Sequence, residues 1–268
     1  MKIQLFQLEI IEGNVEQNEN RIKALFEEKL ETDTEVVILP EMWNNGYDLQ
    51  HLTENADVDL TRSFPFIQHL ATNHHVNIIA GSVSNKRNKN IYNTAFVVSK
   101  TGKLIYQKDK IHLVPMLDEQ LYLTGGNEAP EVFEINDIKA TQIICYDLRF
   151  PEITRYPASQ GAKIIFYVAQ WTTKNLNHWR TLLKARAIEN CVYVVACNSV
   201  GVVNNEKHVG NTYAGHSIVI DPNGNIIQEA GNQEAILTTE IDIQKVTEQQ
   251  QNIPIFESLR PDVYKYSE

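Results

Sequence analysis

Residues 140–152 read ATQIICYDLRFPE. The run from Ala140 to Cys145 is short and includes Ile143-Ile144, and we expect it to form a β-strand. Pro151 suits the first position of a helix, because the N–H that proline lacks would have no partner there, and we expect that helix to cover residues 151–160. The segment therefore predicts a strand that turns sharply into a helix, with Cys145 at the turn.

The elements around this unit alternate in the same way. No linker rich in Gly, Ser or Pro interrupts them, so we predict a single domain over residues 1–268. Alternating helices and strands with antiparallel hairpins predict an α/β fold of mixed sheets covered by helices. The two halves share one order, with strands expected at 2–8, 36–39, 76–83, 140–145, 164–168, 192–196 and 235–241, helices at 15–31, 62–74, 151–160 and 175–190, and hairpins at 91–107 and 218–228.

The composition is that of an acidic chain. The 268 residues include 24 Lys+Arg and 34 Asp+Glu, a formal net charge of −10. Affinity for nucleic acid depends on Lys and Arg at phosphates, so we expect no nucleic-acid partner and interpret Lys86-Arg87-Asn88-Lys89 as a solvated turn. No apolar run approaches the ~20 residues of a membrane span, and the N-terminus lacks the pattern of a signal peptide. Three scattered cysteines argue against a disulfide framework, so we expect a reducing, cytoplasmic location.

Three polar side chains lie at or just after predicted strand ends, where ligands bind in open α/β sheets. They are Glu41, Lys110 and Cys145. A thiol becomes a nucleophile at neutral pH with the help of a cation or a general base, which Lys110 and Glu41 can provide. Spacing alone leaves a buried structural cysteine as the alternative. Cys191 and Cys197 have apolar neighbours, which predicts structural burial for both.

Other polar residues are ambiguous or point to no ligand. His112 and His178 lie close to the candidate segments, where either can bind substrate or belong to the core. No Cys or His residues stand at zinc-ligand spacing, and Gly125-Gly126 lacks the phosphate-loop pattern. Two long irregular stretches, 109–131 and 199–214, are of a length that is usually functional or disordered.

Three segments resemble the signature blocks of the nitrilase superfamily of carbon–nitrogen hydrolases. They are Leu39-Pro40-Glu41-Met42-Trp43, Lys110-Ile111-His112-Leu113 and the stretch from Ile144 to Glu152. Further matches follow in order at 170–171, 178–179, 185–190, 198–201 and 215–217, so the resemblance covers nearly the whole chain.

The resemblance implies a four-layer αββα sandwich of two mixed sheets. It also implies a catalytic set of Glu41, Lys110 and Cys145, with Glu119 as a further glutamate, although Asp118 is adjacent to it. Members of the superfamily generally form dimers or larger assemblies. Their reaction passes through a thioester and uses neither a metal nor an organic cofactor.

Within the superfamily the chain is most similar to the omega-amidase branch, which hydrolyses short dicarboxylic monoamides such as 2-oxoglutaramate and 2-oxosuccinamate. Many relatives carry an Arg a few residues after the Gln-Trp pair, where this chain has Lys174, which would replace it only as a point charge. Arg149, Lys174 and Arg180 are the candidates to hold a substrate carboxylate. The residues expected to bind substrate are Tyr47, Tyr146, Arg149, Trp171, Lys174 and His178.

Other readings stay open at this stage. An N-carbamoyl amine, a simple aliphatic amide or a nitrile is an alternative substrate within the superfamily. Because a fold does not define a function, a non-catalytic binding protein is a further alternative. A redox sensor would need a resolving cysteine close to Cys145, and the sequence does not tell whether Cys191 or Cys197 is close.

Overall fold

The computed structural model describes residues 1–203 and 211–264. The first half of the chain forms β1 (Lys2–Gln7), α1 (Val15–Lys29), β2 (Val36–Ile38), α2 (Leu52–Asn55), β3 (Asp57–Val58), α3 (Ser63–His74), β4 (Asn77–Arg87), β5 (Asn90–Val98) and β6 (Leu104–Asp109). The second half forms β7 (Phe133–Ile135), β8 (Ile138–Ile144), α4 (Pro151–Ser159), β9 (Ile164–Ala169), α5 (Leu176–Asn190), β10 (Tyr193–Asn198), β11 (Ile218–Ile220), β12 (Ile226–Glu229), β13 (Ala235–Glu240) and α6 (Gln244–Asn252).

The strands form two mixed sheets of similar design. The first has the order β13-β1-β2-β4-β5-β6, with β3 beside β4, and the second has the order β12-β11-β10-β9-β8-β7. Each sheet has three parallel strands at its centre, β1-β2-β4 in one and β8-β9-β10 in the other, and antiparallel strands on both sides. The last strand returns to the first sheet, where Lys2 pairs with Glu240.

Side chains that alternate between the two faces of the central strands explain why each sheet packs against the other sheet on one face and against helices on the other. Successive side chains in a strand point to opposite faces. In β1, Ile3 and Leu5 belong to the core between the sheets, whereas Phe6 packs on the other side with Ile22 and Phe26 of α1. On the far side of the second sheet, α5 contributes Trp179, Leu183 and Ala187 to the core. The predicted four-layer αββα sandwich is confirmed.

Several local predictions need correction. The strand expected to end at residue 83 continues to Arg87, so only Asn88 and Lys89 form the turn of that hairpin. Arg87 stays in the strand because it pairs with Asp109 and lies 4.1 Å above the ring of Tyr92. The strand expected to include Cys145 ends one residue earlier.

Short elements also went unpredicted. The elements α2, β3 and α6 had no clear periodic pattern, and the irregular stretch 109–131 contains two single 3₁₀ turns, Pro115–Leu117 and Glu119–Leu121. Part of the second irregular stretch, residues 204–210, lies outside the described residues. Within residues 1–203 and 211–264, no helix is long and apolar enough to cross a membrane.

Candidate active site

Cys145 lies directly after β8, in a tight 3₁₀ turn that covers Cys145–Arg149 and leads to Pro151 at the start of α4. Its φ angle is +41°, in the left-handed region that residues other than glycine seldom adopt. Such a strained conformation is typical of functional turns. The turn leaves the side chain 5% exposed, with the Glu41 carboxylate close enough to affect the ionisation of the thiol.

Glu41 follows β2, and its position depends on a close approach of β4. Gly81 in that strand has φ +56°, and a Cβ atom there would lie 1.9 Å from the carbonyl oxygen of Pro40. Ser82 N donates to the same carbonyl at 3.3 Å. Only glycine allows this contact, which holds Pro40 and therefore Glu41 against the edge of the sheet.

The Glu41 carboxylate is completely buried and has a donor on each side. Its Oε1 accepts hydrogen bonds from Asn93 Nδ2 at 2.8 Å and from Lys110 Nζ at 3.0 Å, and Tyr47 Oη lies 2.9 Å away. Its Oε2 accepts from the backbone N–H of Gln170 at 2.8 Å. These donors compensate for the loss of water around a buried charge.

Lys110 lies between two buried carboxylates. Its Nζ donates to Glu119 Oε1 at 2.8 Å, and the other Glu119 oxygen accepts from the backbone N–H of Val114 at 2.7 Å. Burial opposes the ammonium charge, but Glu119 and Glu41 outweigh it and raise the pKa of Lys110 above its ordinary value. Burial also raises the pKa of Glu119, with Glu41 adding to the rise and Lys110 opposing it. The lysine is therefore held charged.

Asp147 connects the lysine segment to the cysteine turn. Its carboxylate accepts hydrogen bonds from the backbone N–H groups of Ile111 and His112, at 3.2 and 2.9 Å. The ring Nδ1 of His112 lies 2.7 Å from the same carboxylate, and the ring stacks on Phe150 with centroids 3.5 Å apart. His112 is therefore held by contacts within the protein, and its ring connects the lysine segment to the cysteine turn.

The protonation of Cys145 follows from its surroundings. Burial raises the pKa of the thiol well above its ordinary value, and the Glu41 carboxylate raises it further, while Lys110 acts in the opposite direction. The thiol is therefore protonated at neutral pH. A base must take its proton before the sulfur can attack, and Glu41 is the charged residue that acts most strongly on the thiol.

The thiol faces a cavity of ≈ 270 Å³ with largely apolar walls. Of the residues expected to bind substrate, Tyr146, Arg149, Trp171 and Lys174 line it. The Arg149 guanidinium lies 4.6 Å above the Trp171 ring and 5.6 Å from the Tyr146 ring. Its Nε is buried and has no hydrogen-bond partner among the described residues. Lys174 is exposed at the margin.

Three other residues lie away from the walls that the described residues form. The Tyr47 hydroxyl contacts Glu41 and Glu119, and Tyr47 is not among the residues that line the cavity. His178 is exposed, with Nδ1 3.5 Å from Arg149 Nη1. Arg180 pairs with Glu229 at 2.6 Å, which removes it from the candidates for a substrate anchor.

Sequence reasoning missed the supporting residues Asn93, Asp147 and Gln170. Asp147 and Gln170 lie within segments that resemble the nitrilase superfamily, so their positions could have identified them as residues of the site. Asn93 is one of several polar residues in β5, and nothing in the sequence connects it to Glu41.

The two remaining cysteines are fully buried, as predicted. Cys197 Sγ lies between the sheets, 3.4 Å from the carbonyl oxygen of Phe6 and 3.6 Å from that of Ile38. Cys191 caps α5 in the left-handed conformation. Within the described part of the chain, no cluster of His, Cys, Asp and Glu side chains could hold a metal ion.

Comparisons with known proteins show the family to which the chain is similar. The model of the family "Carbon-nitrogen hydrolase" matches residues 2–251. A Staphylococcus aureus protein named "Hydrolase in agr operon" is 53% identical over 266 residues, 99% of this chain and 100% of that protein. The 2-oxoglutaramate amidase of Bacillus subtilis (strain 168) is 40% identical over 262 residues, 98% of each chain. A solved CN-hydrolase superfamily protein from Xanthomonas campestris, with an arsenic adduct in its active site, superposes with a TM-score of 0.90 at 29% identity and covers 99% of both chains.

Proposed function

This chain belongs to the carbon–nitrogen hydrolase family, and from that premise we propose that it hydrolyses the terminal amide of a short dicarboxylic monoamide, such as 2-oxoglutaramate or 2-oxosuccinamate. The products are the 2-oxo diacid and ammonia. The observation that carries the proposal is the contact of Glu41 with both the Cys145 thiol and the Lys110 ammonium, beside a cavity that Arg149 lines.

In the first half-reaction, Glu41 takes the thiol proton while Cys145 attacks the amide carbonyl. The Lys110 ammonium and the backbone N–H of Tyr146 stabilise the negative oxygen that forms, a contribution typically worth about 10²–10³ in rate for each donor. Glu41 then returns the proton to the leaving nitrogen, and ammonia departs. Cys145 is left as a thioester of the acid.

In the second half-reaction, Glu41 removes a proton from water, and the resulting hydroxide attacks the thioester carbonyl. Lys110 and Tyr146 again stabilise the oxygen. The thioester bond breaks, the sulfur regains its proton from Glu41 and the acid leaves. Glu119 orients Lys110 throughout through its 2.8 Å contact with Nζ.

Arg149 is the residue that we propose holds the far carboxylate of the substrate. A guanidinium presents a planar fork that matches a carboxylate, and the rings of Tyr146 and Trp171 support it from the side. Lys174 lines the same cavity but is exposed, so water weakens its attraction. His178, in contact with Arg149, helps to orient the guanidinium.

The substrate preference is supported by the likeness to the amidase of Bacillus subtilis. The name of the Staphylococcus aureus relative states no substrate, so the test is a substrate panel. Ammonia and carbon dioxide release are measured for 2-oxoglutaramate, 2-oxosuccinamate, a neutral aliphatic amide, an N-carbamoyl amino acid and a nitrile. We expect the 2-oxoacid monoamides to exceed the others in kcat/KM by at least tenfold. Carbon dioxide release from a preferred carbamoyl compound would contradict the assignment.

Loss of the nucleophile tests the reaction itself. Cys145→Ala should abolish ammonia release, whereas Cys191→Ala, which removes a thiol with no contact to the site, should retain it. An iodoacetamide label should enter Cys145 faster than Cys191. Equal labelling, or amidase activity in Cys145→Ala, would favour a non-catalytic role for this site.

A homodimer or larger homo-oligomer in the cytoplasm is the form in which we expect the enzyme to work. All three cysteines are free thiols, which suits a reducing compartment. Tyr156 of α4, Ile188 of α5 and Ile253 after α6 are about half exposed, and apolar side chains of this size favour burial against another surface. Light scattering of the purified protein tests the assembly, and a monomer mass at micromolar concentration would contradict it.

A further inference from the structure

Tyr47 has an unusual position for a residue outside the substrate cavity. Its Oη lies 2.8 Å from Glu119 Oε1 and 2.9 Å from Glu41 Oε1. It is also the third acceptor of the Lys110 ammonium, at 3.3 Å. One hydroxyl therefore connects the two carboxylates that flank the lysine.

The number of hydrogens makes this arrangement informative. A phenolic hydroxyl has one hydrogen, so Tyr47 can donate to only one of the two carboxylates at a time. If both were ionised, its second contact would bring two oxygen lone pairs together within 3 Å. If one carboxyl carries a proton, that proton is donated to Tyr47 Oη, and the Tyr47 hydrogen is donated to the other carboxylate. Both contacts are then hydrogen bonds.

Charge balance favours the same state. Glu41, Glu119 and Lys110 have completely buried side chains. With both carboxylates ionised and the lysine charged, this group has a net charge of −1, and an uncompensated buried charge is costly. One added proton brings the group to neutrality.

We propose that Tyr47 is a positioning residue that joins Glu41 and Glu119 through one shared proton and so keeps Glu41 ionised as the base for Cys145. In the resting enzyme Glu119 holds the proton and donates it to Tyr47 Oη, and Tyr47 donates its own hydrogen to Glu41. Lys110 donates to both carboxyl groups. The inference rests on the proposed function, because it assigns Tyr47 a role through the base of that reaction.

Among the described residues, Lys110, the Cys145 thiol and Tyr213 interact electrostatically with Glu41 and Glu119. The pKa of Tyr213 is raised first by burial, then by Glu12 and by these two acidic residues. Burial and the two carboxylates raise the pKa of Tyr47 well above its ordinary value, so the phenol stays neutral and acts as a bridge. Because hydrogen bonds to an ionised carboxylate favour that form, the hydrogen bond from Tyr47 stabilises Glu41 as a carboxylate.

Tyr47→Phe tests the bridge, with Tyr106→Phe as the matched control. Tyr106 Oη donates to the carbonyl oxygen of Gln142 at 2.9 Å between the sheets, so its removal also deletes one internal hydrogen bond. In Tyr47→Phe we expect the acidic limb of kcat to move to higher pH by about one to two units, the worth of one hydrogen bond to a charged group. KM should change less than twofold, since the hydroxyl lies outside the cavity. In Tyr106→Phe, kcat should fall at the same acidic pH as in the wild type. If kcat falls at the same pH in both variants, the proposal is overturned.

Infrared spectroscopy provides a second measurement that needs neither a folded variant of Tyr47 nor a known substrate. At neutral pH the wild-type protein should show the carbonyl band of a buried protonated carboxyl group, and Glu119→Gln should lose it. Absence of this band in the wild type would overturn the proposal. The infrared result is independent of the substrate panel, so failure of the amidase assignment and failure of the shared proton are distinguishable.

Discussion

Replacing Lys110 by Met should destabilise the protein in a way that depends on pH. The ammonium lies 2.8 Å from Glu119 and 3.0 Å from Glu41, and all three side chains are fully buried. Methionine fills a similar volume without charge. Breaking a buried ion pair by removing one partner typically costs about 3–5 kcal/mol, because the remaining charge is left buried without compensation. We therefore expect a loss within that range at pH 8.

The sign of the pH dependence follows from the carboxylates. In the folded variant the two buried carboxyl groups have lost their cation, so burial favours their protonated forms more strongly than in the wild type. A group whose folded pKa is raised binds a proton more readily in the folded state, so its contribution to stability is present at low pH and is lost as the pH rises through the folded pKa. The deficit of Lys110→Met should therefore shrink as the pH falls, by up to about 1.4 kcal/mol per pH unit for each proton taken up.

Urea unfolding at pH 5.5, 7 and 8.5 measures this effect. Lys23→Met is the control, because Lys23 pairs with Glu27 at 3.9 Å on the surface of α1 with both side chains more than half exposed. Such a pair contributes only about 0–1 kcal/mol, so the control should stay within 1 kcal/mol of the wild type at every pH. A Lys110→Met deficit that is equally small, or that stays constant with pH, would refute the account of a buried charge pair. The variant should also lose at least about 10² in kcat.

Three further substitutions separate binding from positioning. Arg149→Lys should raise KM for 2-oxoglutaramate at least tenfold, because an ammonium cannot form the paired hydrogen bonds of a guanidinium. Lys174→Ala should change KM less than threefold, and the reverse order in steady-state kinetics would make Lys174 the anchor. Asp147→Asn should lower kcat about tenfold or more with little change in KM, since it weakens the link between the His112 segment and the cysteine turn. An unchanged kcat would show that the two segments keep their places without that carboxylate.

Much of the fold is visible in the sequence because it depends on local patterns. The apolar runs at Val36–Ile38 and Ile164–Ala169 mark strands buried on both faces, and the periodic residues of α1 and α5 mark helices. These signals repeat in the same order in both halves of the chain. They were sufficient for the layers and for most of the element bounds, whereas short elements such as α2 and β3 lack enough residues to show a period.

The chemistry of the site was visible only in part. Strand ends and matching blocks identified Glu41, Lys110 and Cys145 by residue type and position. Asn93 and the backbone N–H of Gln170 contribute to the same carboxylate from distant strands, and no local pattern records such contacts. Tyr47 was expected at the substrate, yet its hydroxyl bridges Glu41 and Glu119.

The sequence alone was therefore sufficient for the family, the layered architecture and the identity of the reactive thiol, because these depend on periodicity and on residue types within short segments. The tertiary structure decided what surrounds each charge. In the folded protein Lys110 is buried between two carboxylates and Arg180 pairs with Glu229. Arg149 lines the same cavity as the Cys145 thiol. The physical reason is that pKa values and binding strength depend on distance and exclusion of water between residues far apart in the chain, which only the packed sheets determine.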